Sequence, residues 1–356
     1  MHDYITQRGG AERVLLSMLK AYPAAPLYTS LFSPRTTFPE FQRRTIRTSK
    51  LNRLPFLRRH HRLALPVLAP ALSRLHVPAN VVLCSSSGWA HGVASDGRKV
   101  VFCHAPARWL YQTDAYLGRR RPIARSAVSV LRSPLARWDR QAAAGAHRYM
   151  ANSTMVRRQI LEHYGIEAEI VPPPHSIDPQ GETTPVDGID AGYYLCVSRL
   201  LPYKHVDAIL EAFRDLPGER LVVVGRGPEE RRLRSISRPN VQLVGGVSDA
   251  ELRWLYANAA GLVAASYEDY GLTPLEAAAF GRPAAALRWG GYLDTVLEGE
   301  SGVFFDKPEP GPIRQAVIEL ARGVFPEARL RSHAAAYSED RFIERLREVV
   351  ERGGDE

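Results

Sequence analysis

The stretch Glu268-Asp269-Tyr270-Gly271-Leu272-Thr273-Pro274-Leu275-Glu276 follows the apolar run Gly261-Leu262-Val263-Ala264-Ala265. A run that short and that apolar, bounded by turn and polar residues, reads as a buried strand. Thr273-Pro274-Leu275-Glu276 has the form of a capping box, with Thr at N-cap, Pro at N1 and Glu at N3, and Gly281 suits the C′ position. A strand, a glycine loop and a helix start then place two carboxylates and several free backbone N–H groups around one crevice. That set suits a ligand with many hydroxyls and a diphosphate. Taken alone, Glu276 is a helix cap and Glu268 a solvated loop acid, so the rest of the chain decides between the two readings.

Working outward, Tyr193–Val197, Leu221–Val224, Val241–Val244, Pro283–Leu287 and Gly302–Phe305 are apolar runs of the same kind. Helical patterns lie between them. From Lys204, the residues Val206, Ile209, Leu210 and Phe213 recur at i, i+3, i+4 and i+7, and Ser248 or Asp249 caps a helix through Leu252, Leu255 and Tyr256. Such alternation predicts a parallel sheet covered on both faces, with ligands at the carboxyl ends of the strands. The glycine turns Gly225-Arg226-Gly227-Pro228 and Gly245-Gly246 fall there. The first half repeats the theme, with strands at Val81–Cys84, Val100–Cys103 and Arg148–Met150. A helix after Arg8-Gly9-Gly10 carries Val14, Leu15, Met18 and Leu19. Val171-Pro172-Pro173-Pro174 and the polar residues to about Asp190 read as a linker. A last helix from Ser338 carries Phe342, Ile343, Leu346, Val349 and Val350 on one stripe.

A chain of 356 residues is long enough for about two cores. It is 45% hydrophobic and 24% charged, and no apolar run is long enough to span a bilayer. Met1–Arg8 lacks the apolar core of a signal peptide. Cys84, Cys103 and Cys196 are far apart and lie in or beside strands, so they read as reduced, buried thiols of a cytoplasmic protein. Charge is unevenly placed. Residues 1–150 hold 24 Lys and Arg against 6 Asp and Glu, a net of +18; residues 151–356 hold 23 against 32, a net of −9. Two domains with different partners follow from that asymmetry.

These motifs form an ordered set: Gly9-Gly10 before a helix, Cys103-His104-Ala105-Pro106 ending a strand, Arg199 followed by Lys204, then Gly225-Arg226-Gly227-Pro228, Glu268 with Glu276, and Gly290-Gly291. The set resembles glycosyltransferase family 4, the retaining sugar-nucleotide transferases, over nearly the whole chain. The match is strongest over residues 150–305. Bacterial mannosyltransferases of surface-polysaccharide and glycolipid assembly are similar in His2-Asp3-Tyr4, Gly9-Gly10-Ala11-Glu12-Arg13, Cys103-His104-Ala105-Pro106 and Glu268-Asp269-Tyr270-Gly271.

The resemblance implies an α/β protein of GT-B fold, two Rossmann-like parallel-sheet domains facing a cleft. The boundaries are 1–172 for the acceptor domain, 173–191 for the linker, 192–336 for the nucleotide-sugar domain and 337–356 for a helix returning to the first domain. It further implies that Arg199 and Lys204 hold the donor diphosphate, where fixed cations stabilise charge developing on the leaving group. A lysine in a first helical turn opposes the helix dipole, which favours a functional reason for Lys204. Glu268 would bind hydroxyls of the transferred sugar, Glu276 the ribose, and His104 the sugar from the opposing domain. Gly10 would give a backbone N–H to phosphate, and Gly271, Leu272 and Thr273 would do the same at the second helix start. Gly227 and Gly246 would line strand ends where a base stacks. No Asp-x-Asp occurs in the sequence, so metal-independent chemistry is expected, with no cofactor besides a GDP- or UDP-linked sugar as substrate. Two departures stand out: family members carry an apolar strand before the position of His2, where only Met1 stands, and Asp294 replaces a more usual Glu.

Arg43, Arg44, Arg47, Lys50, Arg53, Arg58, Arg59 and Arg62 alternate with Leu51, Leu54, Phe56 and Leu57, and Arg119-Arg120-Arg121 with Arg125 form a second cluster. Such clusters suit an anionic bilayer at roughly 1 kcal/mol per nearby charge. A peripheral protein at the inner face of the cell membrane, with a lipid-linked or glycan acceptor and no nucleic acid, is the expectation. The bland alternative is a basic, solvated surface. With a pI of about 9.6 a nucleic-acid binder is a rival class, but no helix-turn-helix, zinc or aromatic RNP pattern supports it. A dinucleotide oxidoreductase is another, although Glu230 stands where GxGxxG needs its third glycine. An epimerase or hydrolase of the same fold is a third.

Overall fold

The computed structural model describes residues 1–60, 64–112, 122–175 and 177–352, with side chains outside 65–66 and 122–131. The chain divides into two units, one of Met1–Pro173 with the helix Glu339–Glu351, the other of Pro174–Ser338.

The first unit contains the parallel strands β1 (Leu27–Thr29), β2 (Ile46–Thr48), β3 (His76–Val77), β4 (Val81–Ser86), β5 (Ala94–Ser95), β6 (Arg98–Cys103), β7 (Arg148–Ala151) and β8 (Glu169–Ile170). β1 pairs with β2, β3 with β5, and β4, β6, β7 and β8 are neighbours in that order. The space between β1 and β4 is spanned by the residues around His2. His2 forms parallel bridges to both Thr29 and Ser85. Its N–H donates to Tyr28 O at 2.9 Å, and Met1 O accepts from Ser85 N–H at 2.8 Å. The order across the sheet is β2-β1-His2-β4-β6-β7-β8, so the direction of winding reverses beside His2. Beside Met1 lies a cavity of about 430 Å³, lined by Leu15, Met18, Leu27, Tyr28, Val81 and Leu83 among others.

Asp3 is buried, and its carboxylate accepts from the N–H groups of Ser87 and Ala90, each at 2.6 Å. That ties the loop after β4 to residue 3. The helix Gly10–Ala21 starts with Gly9 at N-cap and buries Val14, Leu15, Met18 and Leu19. Phe342, Leu346, Val349 and Val350 of the last helix share that core. Each such side chain contributes about 1.5–3 kcal/mol on burial. Ser17 Oγ donates to Glu339 Oε1 at 2.7 Å where the two helices meet.

The second unit carries six parallel strands, β9 (Tyr193–Val197), β10 (Leu221–Val224), β11 (Val241–Gly245), β12 (Ala259–Ala264), β13 (Ala284–Leu287) and β14 (Gly302–Phe305). Their order is β11-β10-β9-β12-β13-β14, the 3-2-1-4-5-6 winding of a dinucleotide-binding sheet. Leu195, Leu221, Val223, Leu262, Val263 and Ala285 are all at 0–1% exposure, which is why these strands read as unbroken apolar runs. Ser248 caps the helix Asp249–Asn258 through a capping box with Glu251.

Two local expectations are corrected. The helix after the quoted stretch runs Leu272–Ala279, with Gly271 at N-cap in the left-handed region at φ 82°. Thr273 is therefore inside the first turn rather than capping it, and its side chain hydrogen-bonds Tyr292 instead. The other end is as expected: Gly281 has φ 73°, its N–H donates to Ala278 O, and Arg282 N–H donates to Ala277 O, both at 2.9 Å, a Schellman closure. Lys204 likewise does not begin the next helix. It ends a 3₁₀ turn, Pro202–Lys204, and the α-helix is Val206–Arg214. His205 separates them at φ 51°, a left-handed conformation uncommon outside glycine. The argument from the helix dipole therefore does not apply to Lys204.

Candidate active site

In a sheet wound 3-2-1-4-5-6, ligands bind beyond the carboxyl ends of the strands where the winding reverses. In the second unit those strands are β9 and β12, paired with Leu195 opposite Leu262. Ser198, Arg199 and Lys204 follow β9; Ser266 and Glu268 follow β12. Lys204, 8% exposed, pairs directly through Nζ with Glu268 Oε1. Ser266 Oγ donates to the same carboxylate oxygen at 2.8 Å and lies 3.0 Å from Tyr292 OH. Lys204 Nζ stands 5.1 Å from the centroid of the Tyr203 ring. Arg199 donates from Nη2 to Tyr203 OH at 3.1 Å. The structure thus brings Arg199, Lys204 and Glu268 onto one surface, joined through Tyr203. A cation paired with a carboxylate, and a second cation one aromatic side chain away, gather at the strand ends of β9 and β12.

The Glu268 loop is held from behind. Gly291 N–H donates to Glu268 O at 2.9 Å. A Cβ at Gly290 would collide with the Glu268 carbonyl, and one at Gly291 with the Tyr270 backbone. Tyr292 is the hub: its ring fills the space a Cβ at Gly271 would take, and its hydroxyl reaches Ser266. Burial pushes the Tyr292 phenol well above its usual range, with the Glu268 charge adding to the shift. Gly271, Leu272 and Thr273 lie at the start of the helix beside this loop. Glu276 is on the same helix and buried, and its Oε2 accepts from Tyr256 OH at 2.7 Å.

Gly227 follows β10 and is half-buried. The turn after β10 lies against the Ser198–Leu200 segment: Leu200 N–H donates to Arg226 O at 3.0 Å, and Glu229 N–H donates to Leu200 O at 3.2 Å. A Cβ at Gly227 would strike the Leu200 carbonyl, and one at Gly225 the Ser198 carbonyl. Close backbone packing is by itself a reason for glycine at both positions. Gly246 lies against the Arg226 side chain, whose Nε is 3.0 Å from where a Cβ would be.

In the first unit, Gly10 is exposed at the first turn of its helix. His104 follows β6, with its N–H donating to Ser86 O at 2.8 Å and its carbonyl accepting from Asn152 Nδ2 at 2.9 Å. Burial pushes its imidazole down to about 4. Arg58 and Arg59 lie on the short helix Pro55–Arg59, beside Leu54 and Phe56, which are 52% and 60% exposed. Arg62, Arg119, Arg120 and Arg121 lie outside the described residues. Cys84, Cys103 and Cys196 are buried, and none of the three forms a disulfide. No helix among the described residues is long and apolar enough to cross a membrane.

Sequence reasoning missed Tyr203, Ser266, Tyr292 and Tyr256 as parts of the site. The aromatic directly after Gly290-Gly291 was the available signal for Tyr292. Ser266 could be suspected from its place between a strand end and Glu268.

Residues 8–180 match the family model described as Glycosyltransferase Family 4, and residues 188–339 the model described as Glycosyl transferases group 1. A D-inositol 3-phosphate glycosyltransferase of Geodermatophilus obscurus is 32% identical over 241 residues, 58% of this chain and 53% of that protein. A GDP-mannose-dependent alpha-(1-6)-phosphatidylinositol monomannoside mannosyltransferase of Mycolicibacterium smegmatis is 32% identical over 151 residues, 37% and 39% of the two chains. The chain spans about half the length of the first of these relatives. Among solved structures, Anabaena HepE with UDP-glucose superposes at a TM-score of 0.69 and 16% identity, covering 98% of both chains. A lipopolysaccharide outer core galactosyltransferase superposes at 0.65 and 16% identity, over 98% of this chain and 97% of the other. Those likenesses establish the fold as GT-B, and with both halves matched by the paired family models, the chain belongs to glycosyltransferase family 4.

Proposed function

We propose that the protein moves a hexose, with mannose favoured, from a nucleotide diphosphate sugar to a lipid-linked or glycan acceptor, with retention and without a divalent metal. The observation that carries this reading is the junction of Arg199, Lys204 and Glu268 at the reversal between β9 and β12. Arg199 and Lys204 hold the diphosphate and stabilise the charge that grows on it as the glycosidic bond breaks. An ammonium has three donors, so Lys204 can hold Glu268 and a phosphate oxygen together. Glu268, fixed by Lys204 and Ser266, accepts from hydroxyls of the sugar. Gly271, Leu272 and Thr273 offer the donor their helix start, and Glu276 the ribose contact. The leaving phosphate oxygen takes the acceptor proton on the same face, which gives retention without an enzymic nucleophile. Mannose from GDP is favoured by the resemblance of Glu268-Asp269-Tyr270-Gly271 to mannosyltransferases and by the mannosyltransferase among the relatives.

Calorimetry with GDP, UDP and ADP, each with and without EDTA, tests the reading. Binding of one nucleoside diphosphate that survives EDTA and is lost in Lys204→Met supports it. Absence of binding to the whole panel, or an absolute need for metal, overturns it.

A further inference from the structure

We propose that His205 and Tyr267 are positioning residues: an edge-to-face clasp, backed by Trp289, that holds the loops carrying Lys204 and Glu268 in register. The His205 and Tyr267 rings stand 5.5 Å apart at 78°, and the Tyr267 and Trp289 rings 5.1 Å apart at 90°. The inference rests on the transferase reading for the reaction that the ion pair serves. The clasp itself lies wholly within the second unit.

The residue type at position 205 is what calls for a reason. Its backbone is left-handed, at φ 51° and ψ 33°, and among the described residues it is the one position other than glycine with positive φ. That conformation costs an ordinary side chain energy that glycine avoids and asparagine tolerates. His205 is also the N-cap of the helix Val206–Arg214, and its side chain makes no capping hydrogen bond. Glycine and asparagine are favoured at an N-cap as well. Backbone conformation and capping both favour those residues over histidine, so the reason for histidine lies in its ring. Among the described residues, the aromatic partner of that ring is Tyr267.

Two consecutive residues here grip two consecutive residues. Lys204 pairs with Glu268, and His205 meets Tyr267. A shift of one loop against the other would break both contacts. Trp289 extends the clasp to the loop after β13, and the two residues after it hold Glu268 from behind. Gly291 N–H donates to Glu268 O at 2.9 Å, and a Cβ at Gly290 would strike the same carbonyl. Tyr267 is 40% exposed and His205 half-buried, so burial in a core does not account for their contact. Edge-to-face geometry is favourable beyond the area that it covers. The Lys204 ammonium is a point charge on a flexible stem, so its aim depends on what fixes the backbone beside it.

Urea unfolding of the full chain gives the coupling between Lys204→Met and Glu268→Met, in the wild-type background and in His205→Gly, His205→Asn and His205→Phe. Release of nucleoside diphosphate from GDP-mannose and from UDP-glucose gives kcat for the three variants at 205. Glycine and asparagine suit the backbone and lack the ring; phenylalanine keeps a ring and suits the backbone less. His205→Gly and His205→Asn are therefore expected to be at least as stable as His205→Phe. They are nonetheless expected to lose about half or more of the coupling and roughly tenfold in kcat, while His205→Phe retains both. A role in folding alone would give activity the same order as stability. Tyr267→Ala is expected to reproduce the losses, with no further fall when combined with His205→Gly. Unchanged coupling and kcat in folded His205→Gly and His205→Asn, or a His205→Phe that does no better than His205→Asn, overturns the clasp. Coupling that is lost in His205→Gly and kept in His205→Phe, in a protein that turns over neither sugar nucleotide, supports the clasp and overturns the transferase reading.

Discussion

Lys204 and Glu268 are 64 positions apart in sequence and form a direct ion pair, with side chains 9% and 24% exposed. Neither group is fully solvated, so removing one leaves the other partly desolvated and unpaired. Lys204→Met is expected to lose about 3 kcal/mol of stability, the lower end of the cost of breaking a buried pair. On the proposed function it also removes a cation that stabilises the leaving group, and it should then lower kcat about 100-fold. The double variant Lys204→Met with Glu268→Met should recover much of the stability and none of the activity. Melting curves and kcat for the two single variants and the double variant check this; additive stability losses would show that the pair is not coupled.

Gly227→Ala separates a packing role from a ligand role. The Cβ would meet the Leu200 carbonyl, and backbone cannot move aside as a side-chain tip can. The expected result is a loss of about 1–3 kcal/mol in urea unfolding, with or without nucleotide present. A base-stacking surface predicts the opposite pattern: unchanged stability and weakened nucleotide binding. Gly246→Ala should be milder, since only the flexible Arg226 side chain must give way.

The second unit was largely legible because its strands are buried on both faces. Tyr193–Val197 and Leu221–Val224 announce themselves as apolar runs. β1 and β2 are three residues each, Leu27-Tyr28-Thr29 and Ile46-Arg47-Thr48, too short for a period of two to register. The long helix Pro122–Ala144 contains Pro134, which reads as a break. Thr273-Pro274-Leu275-Glu276 satisfied a capping rule, but Gly271 could enter the left-handed region and start the helix earlier. Arg199, Lys204 and Glu268 were legible as a set only through family resemblance. Their linkage through Tyr203, and the support from Tyr292, are long-range contacts that local pattern does not encode.

The buried groups around residue 3 give stability opposite slopes with pH. His104 has its folded pKa lowered from 6.5 to about 4 by burial. The unfolded chain binds the proton more tightly between those values, so this group adds stability as pH rises from about 4 to 6.5, by about 3 kcal/mol, and loses it as pH falls. His2 acts in the same direction. Asp3 is raised from 3.8 to about 6, first by burial, against the lowering effect of its bonds to Ser87 and Ala90. The folded state binds that proton more tightly, so the contribution of Asp3 is present below about 4 and is lost as pH rises through 6. Urea unfolding from pH 4 to 7 should therefore show the advantage of wild type over His104→Gln growing with pH, and its advantage over Asp3→Asn shrinking. Parallel curves for wild type and His104→Gln would show that His104 is not desolvated in solution.

Leu54 and Phe56 stand 52% and 60% exposed on or beside a five-residue helix that ends in Arg58 and Arg59. Single exposed apolar residues are ordinary, but two beside a run of arginines form an amphipathic patch. Burying Phe56 in a headgroup layer would contribute about 1.5–3 kcal/mol, and each nearby arginine about 1 kcal/mol more on an anionic surface. The two contributions separate by composition of the vesicle and by salt. Wild-type protein should co-sediment with vesicles containing anionic lipid and much less with neutral ones, and added salt should weaken binding because the Debye length falls below 10 Å above 0.1 M. Phe56→Ser should weaken binding at every salt concentration, whereas Arg58→Gln with Arg59→Gln should remove most of the salt dependence. Equal sedimentation with neutral and anionic vesicles would leave the arginines as a solvated surface and put the acceptor in solution.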